Sequence, residues 1–556
     1  MANGAELFVD ACESLGIDRI FTLVGDHLNE VLSVASARGM RIVDFRHESG
    51  VTHAADCWAR LTRKPALSLV TGGPGHTNSL TGIATAQLAG SPLIAVSGAP
   101  AINMRERVVF QDMDQVGMAR PVCKWAAEAA SVLQVPFLLS RAYRESSSGR
   151  MGATHLTIPV DLFTGEAKTA IAASAPGMGS RVMPDRNDVK KMLQVLRTAK
   201  RPVVIAGSGV WWSYAGAELS KFLQVTKLPY YSVTMGRGII SDLGRYNMGY
   251  ADGALNKAVH TIFKEADVVL VLGKRIDYRL AMGGPRLFSP DAKFLQVDIH
   301  PQELGHNRKL ELGVCADVKA TLQVMLEEMA GGPSWPALVP WIRRTRLFRD
   351  AWQEELRTTA AANAQNKRIH PASFFEELWR VMPVTPLYSW DGGDFIHWGR
   401  ARFKAVRSGG WMRIGPLGTI GSALPNAIAM QIHRPKDRVV MITGDGSLGF
   451  YIAELDTAVR YNLPIIVIVG NDGGWGLERE LQVALNGTNV ACELRQTRYD
   501  LVMKGFGGEG ETIDRLDQVE SAMARAFASK KPYLLNVNIE GARSPFTDWQ
   551  IQGKKG

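Results

Sequence analysis

Residues 438–476 read RVVMITGDGSLGFYIAELDTAVRYNLPIIVIVGNDGGWG, and their pattern decides the fold. One apolar run ends in Gly444-Asp445-Gly446-Ser447. A helix-length stretch follows, and a second apolar run ends in Asn471-Asp472-Gly473-Gly474. Strands apolar on both faces, joined through a helix, belong to a parallel sheet covered on both sides. Parallel strands bring their C-terminal ends to one edge of the sheet, where ligands bind. Asp445 and Asp472 are therefore expected side by side, although 27 positions separate them. Flanking glycines let the backbone approach a ligand closely. The N–H groups at the next helix start, with Ser447, can cradle a phosphate. Two carboxylates beside a phosphate point to Mg²⁺, with the backbone carbonyl of Gly474 as a further ligand. A single acid in such a turn would be read as a helix cap. The whole strand–GDG–helix–strand–NDGG unit favours the metal.

The same alternation runs the length of the chain. Strand-length apolar runs occur at RIFTLV (19–24), RIVDF (41–45), ALSLVT (66–71), PLIAVS (92–97), PVVIAGSG (202–209), ADVVLVLG (266–273) and YLLNVNI (533–539). Amphipathic stretches lie between them, so the pattern predicts α/β architecture with doubly wound parallel sheets. Two places interrupt it: TAIAASAPGMGSRVMPD (169–185), and MAGGPSWPALVP (329–340) with a charged helical stretch to about 366. They divide the chain into three domains, 1–170, 186–335 and 366–556. A length of 556 residues, too long for one core, agrees with three.

Composition narrows the function classes. Hydrophobic residues make up 46% and charged residues 21%, ordinary for a globular enzyme. Cys12, Cys57, Cys123, Cys315 and Cys492 are odd in number, far apart and without CxxC spacing, against a disulfide framework or zinc site. The N-terminus reads as an amphipathic helix rather than a signal peptide, and no apolar stretch is long enough to span a bilayer. A cytoplasmic protein that does not engage membranes is the expectation. The net charge is +10, but Lys and Arg form no arm or aromatic-interleaved stripe, which argues against nucleic acid. An anionic small molecule such as a coenzyme A thioester suits that charge.

The 438–476 segment resembles the cofactor-anchoring motif of thiamine-diphosphate enzymes of the acetolactate synthase-like group. Asp472 departs from the asparagine usual there and adds negative charge beside the diphosphate. The resemblance implies thiamine diphosphate and Mg²⁺ as cofactors, with Asp445, Asp472 and Gly474 on the metal and Gly444, Gly446, Ser447, Gly474 and Trp475 around the cofactor. It covers essentially the whole chain. DFRHESGVTHAADCWAR (44–60) is similar to the family's RHE turn, which makes Glu48 the acid on the aminopyrimidine nitrogen; read alone, Glu48 is a residue at a helix start. TGGPGHTN (71–78) resembles the loop packed on the pyrimidine, with Pro74 and Asn78. VFQDMDQVGMARPVCKWA (109–126) resembles the segment carrying a pocket glutamine, Gln111. His27, in VGDHLNEVL (24–32), falls where relatives aim a polar group at substrate. In IGPLGTIGSALPNAIAM (414–430), the Gly418 carbonyl would take the cofactor's amino group and Ile420 would hold its bent shape. WDGGDF (390–395) would add diphosphate contacts through Asp394 and Phe395. Both ends of the chain contribute, so the resemblance implies a homodimer or homotetramer.

In such relatives the middle domain binds FAD, ADP or the CoA nucleotide, or nothing; here Arg275, Asp298, Asp317 and Val318 would serve. The motifs look closest to 2-hydroxyacyl-CoA lyases and benzaldehyde lyase. The expected activity is a lyase or carboligase on a 2-hydroxyacyl thioester, with Glu48, Gln111 and His27 catalytic. Acetolactate synthase or a benzaldehyde lyase-type carboligase is the enzyme alternative, and a catalytically silent nucleotide-binding homologue the non-enzyme one. The tail GARSPFTDWQIQGKKG (541–556) reads either as a lid over the site or as a frayed terminus.

Overall fold

The computed structural model describes residues 2–167, 181–383 and 386–555. Most of the first interdomain stretch, residues 169–180, therefore lies outside the described residues, and so does the end of the expected first domain.

Three six-stranded parallel sheets follow one another along the chain. The first runs, in spatial order, Arg41–Asp44, Arg19–Leu23, Ala66–Val70, Leu93–Ala99, Thr154–Pro159 and Trp125–Glu128. The third runs Trp411–Arg413, Leu387–Trp390, Val439–Gly444, Ile466–Asn471, Tyr533–Asn538 and Glu509–Ile513. Both have the order 2-1-3-4-6-5. The middle sheet runs Asn247–Tyr250, Tyr230–Ser232, Pro202–Ala206, Val268–Leu272, Lys293–Asp298 and Leu312–Cys315. Its order is 3-2-1-4-5-6, with the reversal between Pro202–Ala206 and Val268–Leu272. Such a reversal opens a crevice at the C-terminal strand ends. Every strand expected from an apolar run is present. The strands not anticipated are short or mixed in polarity, such as Thr154–Pro159 (THLTIP) and Glu509–Ile513 (EGETI). Their period-two signal is weak and their place is set by pairing with a distant strand.

The first and third domains share a helical interface. The helix Glu48–Thr62 packs along Ala423–His433, and nearly all of both is buried. Cys57 Sγ lies 3.4 Å from the Asn426 carbonyl. Arg60, paired with Asp56 one turn earlier, donates to the Arg413 carbonyl at 2.8 Å. The middle domain joins through Trp211, whose indole N–H reaches the Arg60 carbonyl at 2.8 Å. All five cysteines are unpaired. Among the described residues no helix is long and apolar enough to cross a membrane.

The C-terminal tail corrects the frayed-terminus reading. Pro545–Lys555 is a helix docked on Asp394–Arg402 and Gly476–Asn486. Ser544 and Thr547 are buried, and both hydroxyls donate to Asp394 Oδ1. Trp549 reaches the middle domain, stacked 3.6 Å beneath the Arg286 guanidinium and 4.6 Å from the His260 ring. A buried carboxylate that accepts several hydrogen bonds is costly to remove, since its donors lose their partner. Asp394→Ala should weaken the docking by on the order of 2–4 kcal/mol. Limited proteolysis checks this: the variant should lose its C-terminal helix much faster than wild type, and equal rates would contradict the latch.

Candidate active site

Asp445 follows the strand Val439–Gly444, and Asp472 follows Ile466–Asn471. Gly444 and Gly470 are direct register partners, so the two acids meet at one edge of the sheet. Asp445 is buried, and its Oδ2 accepts the Gly474 N–H at 3.0 Å. Burial, then the charge of Asp472, pushes the Asp445 carboxyl up to about 7. Asp472 is also raised by burial, against the pull of Arg479, whose Nη2 lies 2.5 Å from Asp472 Oδ2. Two buried carboxylates of like charge resist ionising together. Arg479 balances only one of them.

A cavity of about 190 Å³ opens at these strand ends. Its lining includes Asp445, Asp472, Ser447, Ile420, Phe395 and Trp475, and its other walls include Gly444, Gly446, Gly474 and Asp394. The Trp475 ring lies so close to Gly446 that a Cβ there would come within 2.7 Å of it. Phe395 packs its ring on Gly470 in the same manner, at 2.3 Å. Asp394 lines the cavity with one oxygen engaged and one open: Oδ1 accepts from Ser544 and Thr547, Oδ2 has no partner, and burial pushes the carboxyl up to about 6. Gly418, at φ +79°, has open space around it and lies outside this lining.

The donor set fits a divalent cation holding a diphosphate. Two carboxylates, strand-end backbone groups and the phosphate oxygens make the oxygen-rich, partly protein coordination that Mg²⁺ prefers. Among the described residues no group of three or more His, Cys, Asp or Glu side chains is set to hold a metal by itself. A cation here therefore needs ligand oxygens from outside the side chains.

The N-terminal candidates gather around the loop 71–78. Asn78 Nδ2 donates to Glu48 Oε2 at 2.9 Å, so Asn78 holds Glu48 within the first domain. Glu48 Oε1 faces Gly75, where a Cβ would stand 3.7 Å away. His27 Nδ1 accepts from the Gly72 N–H at 3.2 Å and lies 3.1 Å from Thr71 Oγ1. Accepting at Nδ1 places the ring proton on Nε2, and burial lowers the proton affinity of the ring. Gln111, with φ +63°, packs its side chain against Gly73, and its buried Oε1 has no partner. Pro74 opens the helix Pro74–Ala89 at the centre of this group. None of these residues lines the strand-end cavity, whose walls come wholly from positions 371–542.

Two residues of the site carry no family pattern in the sequence. Arg479 stands seven positions beyond Asp472, and only its location one turn into the helix Gly476–Asn486 hints at the pairing. Gln115 braces the loop, accepting from Gly73 N at 2.9 Å and donating to Gly98 O at 3.0 Å.

A second, larger cavity of about 210 Å³ sits at the C-terminal edge of the middle sheet. Arg275, Asp298, Asp317 and Val318 all line it. Asp317 caps the helix Val318–Ala330 and pairs with Arg181 at 3.0 Å. Asp298 accepts the His300 N–H at 3.0 Å, and burial raises its carboxyl.

Doubly wound parallel sheets with paired acids and glycine turns at their strand ends define a cofactor-binding α/β protein. Comparison with known proteins specifies the cofactor. Models of the thiamine pyrophosphate enzymes match in three parts: the N-terminal TPP binding domain at residues 2–118, the central domain at 189–325 and the C-terminal TPP binding domain at 391–537. A probable acetolactate synthase of Mycobacterium bovis is 31% identical over 547 residues, spanning 96% of this chain and 95% of the relative. 2-Hydroxyacyl-CoA lyase 1 of Homo sapiens is 28% identical, with 97% and 94% covered. Oxalyl-CoA decarboxylase of Escherichia coli is 29% identical, with 98% and 96% covered. The chain belongs to the thiamine pyrophosphate enzyme family.

Asp445 must release its proton before it can ligate a cation. Its folded proton affinity, near pH 7, lies above the ordinary value of 3.8. In the cation-free protein this group makes folding less favourable as pH rises between those values, and a bound cation reverses the effect. Mg²⁺ affinity in the presence of thiamine diphosphate should climb about tenfold per pH unit below about pH 7 and flatten above it. Calorimetric titration across that range reads the slope, and a pH-independent affinity would contradict the assignment.

Proposed function

We propose that this protein is a thiamine-diphosphate-dependent lyase that cleaves 2-hydroxyacyl-CoA to an aldehyde and formyl-CoA, or joins the same two in reverse. The observation that carries the reading is the second cavity. Arg60, Arg150, Lys274, Arg275, Arg279 and Arg413 line it against four acids, at the strand ends of a sheet with the dinucleotide-binding order. A polyanionic nucleotide tail such as that of coenzyme A suits this surface. The 2-hydroxyacyl-CoA lyases and oxalyl-CoA decarboxylases among the relatives carry CoA thioesters in their names.

When bound, thiamine diphosphate supplies a nucleophilic carbon and an electron sink. The residues of this chain do the rest. Asp445 and Asp472, with the Gly474 carbonyl, would hold Mg²⁺ beside the diphosphate. Glu48, tethered on one oxygen by Asn78, keeps its second oxygen for the pyrimidine nitrogen. His27 offers an Nε2 proton, and Gln111 offers the unpartnered Oε1, to the substrate hydroxyl. A second copy of the chain brings Glu48 to the strand-end cavity, which its own chain leaves without that acid.

A second reading is acetolactate synthase, favoured by the 31% identity to the probable acetolactate synthase. In that case the middle cavity takes FAD, and the purified protein is yellow.

A turnover comparison of 2-hydroxyacyl-CoA, benzoin-type ketones and pyruvate decides between these. The thioester should be cleaved, and Arg275→Ala should raise its KM about tenfold while leaving kcat near wild type. Acetolactate formed from pyruvate, with the thioester untouched, would overturn the reading. Glu48→Gln should bind the cofactor and lose about 10²–10⁴-fold in kcat. Full turnover by that variant would remove Glu48 from the mechanism.

A further inference from the structure

A third cavity, of about 40 Å³, lies away from both sites, between the middle and C-terminal domains. Its inner wall is formed by Arg237, Tyr250 and Arg400, and half-buried Arg349, Gln353 and Lys404 form its outer side. Arg400, on the helix Asp394–Arg402, is 1% exposed. Its Nη2 donates to the Tyr250 hydroxyl at 2.8 Å, while Nε and Nη1 have no partner. Arg237 is also buried, and its Nε is unpartnered as well.

The charges around this cavity do not balance. Arg237, Arg349, Arg400 and Lys404 line it with one carboxylate, Asp242, and Arg349 pairs outside the lining with exposed Asp350 at 2.9 Å, so Arg400 and Lys404 are the charges left over. Asp242 is fully engaged: it pairs with Arg237 at 2.5 Å and also accepts from Asn247 Nδ2 and Ala405 N. Behind the cavity, Asp252 is taken by Arg279 at 2.9 Å. Among the described residues, neither Arg400 nor Lys404 has a carboxylate within ion-pair distance. A buried guanidinium with free donors and no counter-charge is strongly unfavourable. Water could satisfy the donors but would leave the charge uncompensated.

We propose that the cavity bounded by Arg237, Tyr250, Arg400 and Lys404 is a binding site for a monovalent inorganic anion of halide size. The volume sets the size. One water needs about 10–15 Å³ of such space, so 40 Å³ holds a halide and a water but no nucleotide or CoA. Lys404, with the ion-paired Arg349 beside it, makes the outer side positive, and Arg400 and Arg237, the two lining residues that keep unpartnered donors, form the inner wall. The chief rival for the missing charge is Tyr250 itself. Burial disfavours its phenolate, but Arg400, Arg413, Arg279 and Arg237 outweigh burial and bring the hydroxyl down to about 7. The same field that would hold a phenolate would hold a small anion, which also meets donors that the phenol leaves free.

The site has a structural consequence. Arg400 and Asp394 share one helix, about 9 Å apart along its axis. Asp394 lines the strand-end cavity. A bound anion would tie that helix to the middle domain through Arg237.

The test uses the full chain and bromide as probe. Melting is measured in sodium bromide and in sodium gluconate at equal ionic strength, gluconate being too large to enter. A bromide-specific rise in Tm of about 3 °C or more is expected. It should be lost in Arg400→Gln and reduced in Lys404→Gln, a change at the outer side that leaves the buried ion pairs intact. Anomalous scattering from bromide-soaked crystals should show a peak in contact with Arg400. Equal melting in the two salts with no peak in the cavity overturns the proposal. So do bromide peaks confined to surface cations, an adventitious ion only. A phenolate ultraviolet signal at neutral pH that disappears in Tyr250→Phe and ignores bromide would assign the counter-charge to Tyr250 instead.

Discussion

Two carboxylates buried side by side disfavour each other's ionised form, and the strand-end site of the third domain is built on that constraint. Asp445 and Asp472 are driven together by strand register: Gly444 pairs with Gly470, and each acid follows its strand end. The Gly474 N–H supports Asp445, and Arg479 balances Asp472. Small residues at Gly446 and Gly470 let Trp475 and Phe395 close in from either side. What remains is an excess of negative charge facing a cavity, the condition under which a divalent cation and a diphosphate bind together.

The N-terminal domain solves a different problem by the same means. It carries a sheet of identical strand order, but its glycine-rich loop holds polar side chains instead of paired acids. Glu48, His27 and Gln111 come from separate segments and are brought together because each packs on a different residue of the loop 71–78. Gln115 holds that loop to the strand Leu93–Ala99 through Gly98. The middle sheet opens a crevice at its own reversal of strand order, and its cavity is lined by cations from all three domains.

Much of this was legible in the sequence, for reasons that differ by feature. Long apolar strands announce themselves, so the three parallel sheets could be read from the alternation of strand and helix. Edge strands such as Trp411–Arg413 and Glu509–Ile513 could not, because pairing with a neighbour places them. Asp445 and Asp472 were readable because each sits in a short glycine turn behind an apolar run. Arg479, Gln115 and the tethering of Glu48 by Asn78 were not, since each depends on contacts that the local pattern does not encode. The same holds for Asp394, whose carboxyl engages a tail 150 residues away. The cluster of Arg237, Arg279 and Arg400 is assembled from two domains and leaves no local trace.

The central claim is that one divalent cation bridges Asp445 and Asp472 and holds the cofactor's diphosphate. A crystal structure of the protein loaded with thiamine diphosphate and Mn²⁺, with anomalous data at the manganese edge, tests it most directly. The account predicts a single anomalous peak per chain, within coordination distance of both carboxylates and of diphosphate oxygens, with Arg479 drawn away from Asp472. A diphosphate seated there without a metal peak, or a peak that contacts neither aspartate, would contradict it.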